Sequence, residues 1–312
     1  MADAPRKSLG DRLQSINKPT LFLILIILTS IPLFFNGLTV PDEPDPPTIE
    51  LYRQLENIPA GKTVLLQSDW TLSTRGESLG EFKAVFRILM RQHVKVCMFT
   101  LADPQAPQVA RDAVSELNQE QVANHQPPFE EWNDWIHIGY FPNAEGTSVS
   151  MVSDLRKAFA GKKAPKPLVG MTDIFQSPVM AGVHSLKDVP LYVLITASAT
   201  TTVALQRLSG HVPLAFLVTG VMGPETQPYY DSHQVVGLAK GLKGVYDLET
   251  LMEKGYTLAD GTKLPSYHSY PGEINLDRGA QYMPSLHAAL TLLILAVVIG
   301  NVGVFLSRRK PQ

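Results

Sequence analysis

A single cysteine, Cys97, excludes an intrachain disulfide and a cysteine-based zinc site, and its place in the apolar run VKVCMFTL makes it a core residue. No GxGxxG follows an apolar strand and no GxxxxGK[ST] occurs, so a dinucleotide or P-loop cofactor has no glycine-rich phosphate cradle, and no cofactor is expected. TGVMG, with Gly220 and Gly223, offers only GxxG, and Gly237, Gly241 and Gly244 read as residues within or at the end of a helix. HExxH and GxSxG are missing too, which removes the local signatures of zincins and of nucleophile-elbow hydrolases. Charge is sparse, 18% of 312 residues, against 45% hydrophobic, a balance between a soluble domain and a multispan membrane protein.

What is present begins with two uncharged runs. Residues 20–38 and 285–306 are apolar enough to be read as transmembrane helices, which divides the chain into a tail (1–19), a first span, a Pro/acidic spacer (39–48), a domain (49–259), a linker (260–284), a second span and a tail (307–312). Pro32 suggests a kink or early end of the first span, and Gly37 marks its exit. Arg6, Lys7, Arg12 and Lys18 precede the first run and Arg308, Arg309 and Lys310 follow the second. The positive-inside bias then puts both termini in the cytoplasm and the domain outside it, the layout of a two-span inner-membrane protein, bacterial by expectation, with a periplasmic or extracellular domain. No small-x-small site follows the first run, so it reads as an uncleaved anchor. The stretch between the runs holds 20 Lys and Arg against 27 Asp and Glu, a balance that argues against nucleic acid as a partner.

Within the domain, β-rich runs at 63–68, 94–100, 135–141, 167–171, 190–196 and 212–219 alternate with helical stripes. One stripe joins Leu79, Phe82, Phe86, Leu89 and Met90, with Glu81, Lys83, Arg87 and Arg91 off it, the pattern of a surface helix. Further helices are expected at 230–243 and 247–254. Several strands are continuously apolar, as burial on both faces requires. The expectation is a Rossmann-like α/β domain: an open, mainly parallel sheet of about six strands with helices on both faces, flanked by two transmembrane helices.

In such a sheet, ligands bind beyond the carboxyl ends of the strands. The loops there place Asp69, Arg75, Asp103, Asp173, Ser198 and Thr200 as candidates for a small polar or anionic ligand, although Asp, Ser and Thr serve equally as helix caps and turn residues. No metal is expected: Asp231 and His233 lack a third ligand, His137 reads as a sheet-face residue, and Glu130 and Glu131 as a solvated loop.

Pro284-Ser285-Leu286-His287 resembles the P-S-x-H element of the lipid phosphatase superfamily related to type 2 phosphatidic acid phosphatases, whose serine and histidine help hold phosphate at the membrane surface. The likeness covers those residues alone. The family's Lys and Arg-Pro element has no counterpart upstream, and no histidine follows His287 to act as nucleophile. The bare reading is a helix start, with Ser285 as N-cap. The same segment carries Ala289, Ala296, Gly300 and Gly303 on one face, which points to close packing against a helix of this chain or of another membrane protein, with Asn301 able to add an interhelical hydrogen bond. The layout is similar to that of auxiliary subunits of bacterial ABC-type export and gliding systems, a similarity of arrangement only. The expected function is a non-enzymatic scaffold or ligand-sensing subunit of a membrane assembly, with the lipid bilayer and other integral membrane proteins as partners. The alternative is a membrane-tethered receptor or hydrolase using the candidate edge.

Overall fold

The computed structural model describes residues 15, 17–35 and 40–308. Residues 42–279 form one compact unit, and 1–41 with 280–312 form a second.

The larger unit opens with α1 of the domain, here α2 of the chain, Pro46–Glu56, after the apolar helix α1, Lys18–Ser30. The Pro and acid cluster was expected to be spacer alone. Pro46 instead starts a helix, because proline at the first position lacks only an N–H that has no intrahelical partner anyway. The start is held by Asp247, whose carboxylate accepts from the Asp45 N–H at 2.9 Å, and by Thr48, whose hydroxyl donates to the Leu238 carbonyl at 3.2 Å.

Then β1 (Thr63–Asp69), α3 (Arg75–Arg91), β2 (Lys95–Thr100), α4 (Ala106–Ala123) and β3 (Trp135–Tyr140) alternate. After α5 (Ala144–Ser153), the short α6 (Leu155–Ala158) and a hairpin of β4 (Lys163–Lys166) and β5 (Gly170–Asp173), alternation resumes. It runs through β6 (Tyr192–Thr196), α7 (Thr200–Leu208), β7 (Leu214–Val218), α8 (Gly223–Asp231), β8 (Gly237–Lys240) and α9 (Gly241–Lys254). The central sheet is six-stranded, in the order β3-β2-β1-β6-β7-β8, and every pair in it is parallel. This is a Rossmann-like α/β fold.

Strand alternation splits the core in two. Val64, Leu66, Val96, Met98, Val193 and Ile195 face a layer with α2, α3, α4 and α9, while Leu65, Cys97, Phe99, Tyr192 and Leu194 face one with α5, α6 and α7. Both faces are dry, which is why these strands read as unbroken apolar runs.

Three expectations need correcting. Residues 167–171 are not a strand of the central sheet: 167–169 turn the antiparallel β4–β5 hairpin and 170–171 begin its second arm, where Pro165 and Pro167 bring no N–H to an interior ladder. The sixth strand is β8, inside a stretch read as helical. Gly237 is required there, because a Cβ on it would lie 2.6 Å from Leu51 Cα. Nor is α3 a surface helix. Glu81 is fully buried and Lys83 nearly so, because α4 and α9 cover the flanks of α3. Lys83 pairs with Glu116 and Glu120, Arg87 with Glu120 and Asp277, and Arg91 with Glu273, so cations spaced four apart along α3 tie it to α4 and to the segment after α9. That segment, expected to be a linker, carries Asn275, 1% exposed, which hydrogen-bonds Arg91 Nη1 at 2.7 Å.

In the smaller unit, only α10 (Arg278–Arg308) has a stretch, Arg278–Ser307, long and apolar enough to cross a membrane; the other apolar helical segment, Lys18–Phe34, is shorter. The expectation of two full-length spans is therefore met by one. The first segment stops early because α1 passes at Ile31 into a tighter 3-10 turn around Pro32, which has no N–H for the α-helical ladder. Ser285 is not an N-cap: α10 begins at Arg278 and continues through Pro284, and Ser285 Oγ donates to the Thr29 carbonyl at 2.8 Å. Thr29 faces Ser285 while Lys18 and Leu21 share a groove with Ala289 and Ala296, so the helices run antiparallel. Gly303 is buried, whereas nothing described lies within 4 Å of a Cβ placed on Gly300. Most outward-facing side chains on the two helices are apolar, including Phe22, Ile26, Leu293 and Val297, while Lys18, Gln281 and Asn301 are exposed polar residues. Gly37 and the basic residues Arg6, Lys7, Arg12, Arg309 and Lys310 lie outside the described residues.

Gly237→Ala is expected to lower the unfolding free energy by about 1–3 kcal/mol, the usual range for overpacking, because the new methyl meets backbone that cannot rotate away. Chemical denaturation of the full chain checks it, with Gly76→Ala, where a Cβ meets nothing within 4 Å, as the control.

Candidate functional site

The strand order reverses direction between β1 and β6: the chain steps outward through β2 and β3 on one side and through β7 and β8 on the other. Loops after β1 and β6 diverge there at the carboxyl ends, and this switch point is the usual ligand position of the architecture. Asp69 and Thr196, the last residues of the two strands, are register partners across it.

Asp69 is 5% exposed. Its Oδ1 accepts from Thr100 Oγ1 at 2.7 Å, the Leu101 N–H at 2.8 Å and the Ala102 N–H at 3.3 Å. Its Oδ2 accepts from Gln67 Nε2, and the Thr200 hydroxyl also donates to the carboxylate. Gln67 Oε1 in turn accepts from the Tyr192 hydroxyl. Beside this, Thr196 Oγ1 lies 3.0 Å from both Ser198 Oγ and Thr200 Oγ1, and it accepts from the Ser198 N–H at 3.0 Å. Burial pushes the Asp69 carboxyl above its ordinary value, and the donors from Leu101, Thr100, Gln67 and Thr200 pull it back. A carboxylate offers roughly four lone-pair sites. Five donors already converge on Asp69, so its acceptor capacity is used within the protein.

Of the six candidates, Asp69, Ser198 and Thr200 come together. Arg75 instead pairs with Glu116 on α4. Asp103 accepts from the Gln105 N–H at 2.7 Å in a turn ahead of α4. Asp173 stands on β5, outside the main sheet, and accepts from the Phe175 N–H at 2.9 Å. Gln67, Thr100, Thr196 and Tyr192 were missed. The signal available was a polar side chain at the end of an otherwise apolar strand.

A second acidic group lies along the same edge. Glu77 Oε2 accepts from the Gly220 N–H at 2.7 Å, and a Cβ on Gly241, whose φ is +52°, would fall 2.7 Å from that same oxygen. Glycine at 241 therefore lets the start of α9 close over Glu77, a role different from the helix-loosening one expected. One turn further along α3, Glu81 is buried with no side chain donating to either carboxylate oxygen. Desolvation, then the neighbouring Glu77 charge, raise its carboxyl well above the ordinary 4.5, while the Gly241 N–H pulls the other way.

A cleft of about 690 Å³ opens at the opposite, amino-terminal edge, where Gly61, Lys95 and Asp134 precede or begin β1, β2 and β3. Its cations are engaged, Arg91 with Glu273 and Lys95 Nζ with the Pro178 carbonyl at 2.8 Å. Among the described residues, no group of three or more His, Cys, Asp or Glu could hold a metal. His137 is buried in β3, accepts from the Gly139 N–H at 3.0 Å, and is held neutral by desolvation, its ring pushed down to about 3. Glu131 pairs with Arg111, and Glu130 accepts from Asn133 at 2.7 Å. Comparison adds no relative: no protein-family model, no curated protein and no solved structure matches the chain.

Because the folded Glu81 carboxyl binds its proton more tightly than the unfolded one, its contribution to stability is fully present below the ordinary 4.5 and is lost as pH rises through the raised folded value. Urea midpoints measured from pH 4.5 upward should fall for the wild type, and Glu81→Gln should flatten that slope and stabilise the protein at the alkaline end. A parallel slope in the variant would place the pH dependence elsewhere.

Proposed function

We propose that the protein is a membrane-anchored, non-enzymatic scaffold or sensing subunit of a larger membrane assembly. The observation that carries this reading is Asp69: where this fold ordinarily receives an anionic ligand, the protein's own carboxylate takes the N–H groups of Leu101 and Ala102. A buried, saturated carboxylate is suited to fixing the loops around a crevice and poorly suited to contacting a phosphate, which it would repel.

In this reading α1 and α10 both enter the bilayer as an antiparallel pair, their largely apolar outer surfaces facing lipid or neighbouring membrane helices. The basic residues flanking the two runs favour cytoplasmic termini and a periplasmic or extracellular domain. The small-residue face of α10 serves two ends: Ala289 and Ala296 line the groove toward α1, and the open side of Gly300 favours close approach by a second protein's helix. A receptor or hydrolase at the same edge is the second reading. It is favoured by Ser198 and Thr200, both half-buried beside the buried Thr196 at the start of α7.

Thermal unfolding of the detergent-purified full chain with ATP, NAD or inorganic phosphate separates the two. The scaffold reading expects no saturable shift, whereas a site filled to a hundred times its Kd would add about 2.7 kcal/mol. A shift abolished by Ser198→Ala would overturn the scaffold reading in favour of the receptor. The same preparation should carry stoichiometric membrane partners by native mass measurement, diminished in Gly300→Leu.

A further inference from the structure

The acidic unit contains local stretches of opposite sign, and one of them forms a hairpin. Residues 155–172 hold Arg156, Lys157, Lys162, Lys163 and Lys166 and no Asp or Glu, while the rest of 42–279 has 15 basic against 27 acidic residues. This stretch builds the β4–β5 hairpin. Its base is fixed in the core by Phe159, Ala164 and Ile174, each fully buried. Lys162 Nζ sits 3.8 Å from the Phe141 ring centroid and Lys166 Nζ 5.7 Å from that of Trp132, so both lysine stems brace the arms against aromatic faces.

The tip is the reverse of the base. Leu168 is completely exposed, Val169 is 67% exposed and Met171 62%, and Leu168 holds φ at +63°, a left-handed conformation unusual for leucine. The hairpin thus presents three exposed apolar side chains at and beside its turn, with Lys166 next to them, Lys163 opposite Asp173 at the base and Lys157 on the helix before it. Scattered exposed leucines need no explanation, but a contiguous apolar tip does.

We infer that this hairpin tip docks on an anionic lipid surface, with Leu168, Val169 and Met171 entering the headgroup boundary and Lys157, Lys163 and Lys166 pairing with lipid phosphates. Two signals of modest strength, apolar insertion and basic attraction, are what reversible membrane attachment requires, and here they are combined on one turn. Addition of a partner's strand is disfavoured, because Pro165 and Pro167 remove N–H groups from the β4 edge. The inference rests on reading α10 as a membrane helix, since that supplies the bilayer at hand.

The sole native cysteine is fully buried, so a single introduced cysteine is labelled selectively. Full-length Leu168→Cys, Val297→Cys and Val122→Cys, each carrying an environment-sensitive fluorophore, would be reconstituted in vesicles of phosphatidylcholine mixed with phosphatidylglycerol, and in phosphatidylcholine alone. The Leu168→Cys label is expected to shift to the blue and to be quenched by lipids spin-labelled near the headgroup, only in the anionic vesicles, while the exposed α4 position Val122→Cys stays aqueous. Lys157→Gln with Lys163→Gln should lower the ratio of docked to free hairpin by roughly tenfold or more. A Leu168→Cys label open to aqueous iodide in both vesicles overturns the docking, and if Val297→Cys is then lipid-quenched the anchor reading stands. If Val297→Cys is aqueous, the anchor reading fails, and the Leu168→Cys label decides the docking on its own signal. Shielding from iodide without quenching by lipid, the signature of a second copy or another protein on the tip, also overturns it.

Discussion

The arrangement of the larger unit depends on how one carboxylate is satisfied. Asp69 ends the central strand at the point where the sheet reverses order, and its two oxygens collect hydrogen bonds from the loops after β2 and β6 as well as from its own strand. Each of those loops opens a helix, α4 on one face and α7 on the other, so Asp69 couples the two halves of the sheet through the Leu101 and Ala102 amides on one side and the Thr200 hydroxyl on the other. An unpaired buried N–H costs about 1–3 kcal/mol, and Leu101, at the closed side of the crevice, has Asp69 as its acceptor. The chain Tyr192, Gln67, Asp69 extends the network down into the face packed by α5 to α7, where a polar group without partners would be costlier still.

That network also bears on function. Doubly wound sheets bind anions by leaving loop amides unpaired around a glycine turn. Here the loop after β1 is Trp70-Thr71-Leu72-Ser73-Thr74, without glycine, and after β2 the N–H groups of Leu101 and Ala102 are answered by the Asp69 carboxylate.

The parallel sheet was legible because burial on both faces leaves continuous apolar runs, and five of its strands were placed from that pattern. The sixth was not, because β8 contains Gly237 and only Leu238 and Ala239 before Lys240, too short a run to show a period of two. The run at 167–171 failed for the opposite reason: its apolar residues are on the surface, and apolar content alone does not reveal which side of a chain is wet. The α3 cations misled in the same way, since charge on a helix implies solvent only when no acidic partners stand on the neighbouring elements. Glu116, Glu120, Glu273 and Asp277 come from positions far along the chain, and no local pattern announces them. Of the crevice, Asp69, Ser198 and Thr200 were found by the rule of carboxyl ends. Arg75 and Asp103 obeyed the same rule but are engaged elsewhere, by Glu116 and by the Gln105 N–H, while Asp173 follows a strand that is not in the central sheet.

The smaller unit follows a different balance. Its helices have no wet face to specify orientation, so packing rests on small side chains and on few hydrogen bonds. Pro32 matters on both counts. It has no N–H to offer the Leu28 carbonyl, and the tighter turn that contains it begins directly after α1 ends at Ser30, one residue beyond Thr29, whose carbonyl receives Ser285. Pro284 lies inside α10 directly before Ser285. Ala289 and Ala296 line the groove along the remaining length, where small side chains allow close approach. A serine and histidine that resemble a phosphate-binding element in sequence are thereby engaged in helix geometry: Ser285 bonds Thr29, and His287 Nδ1 lies 3.1 Å from the Met283 carbonyl of its own helix.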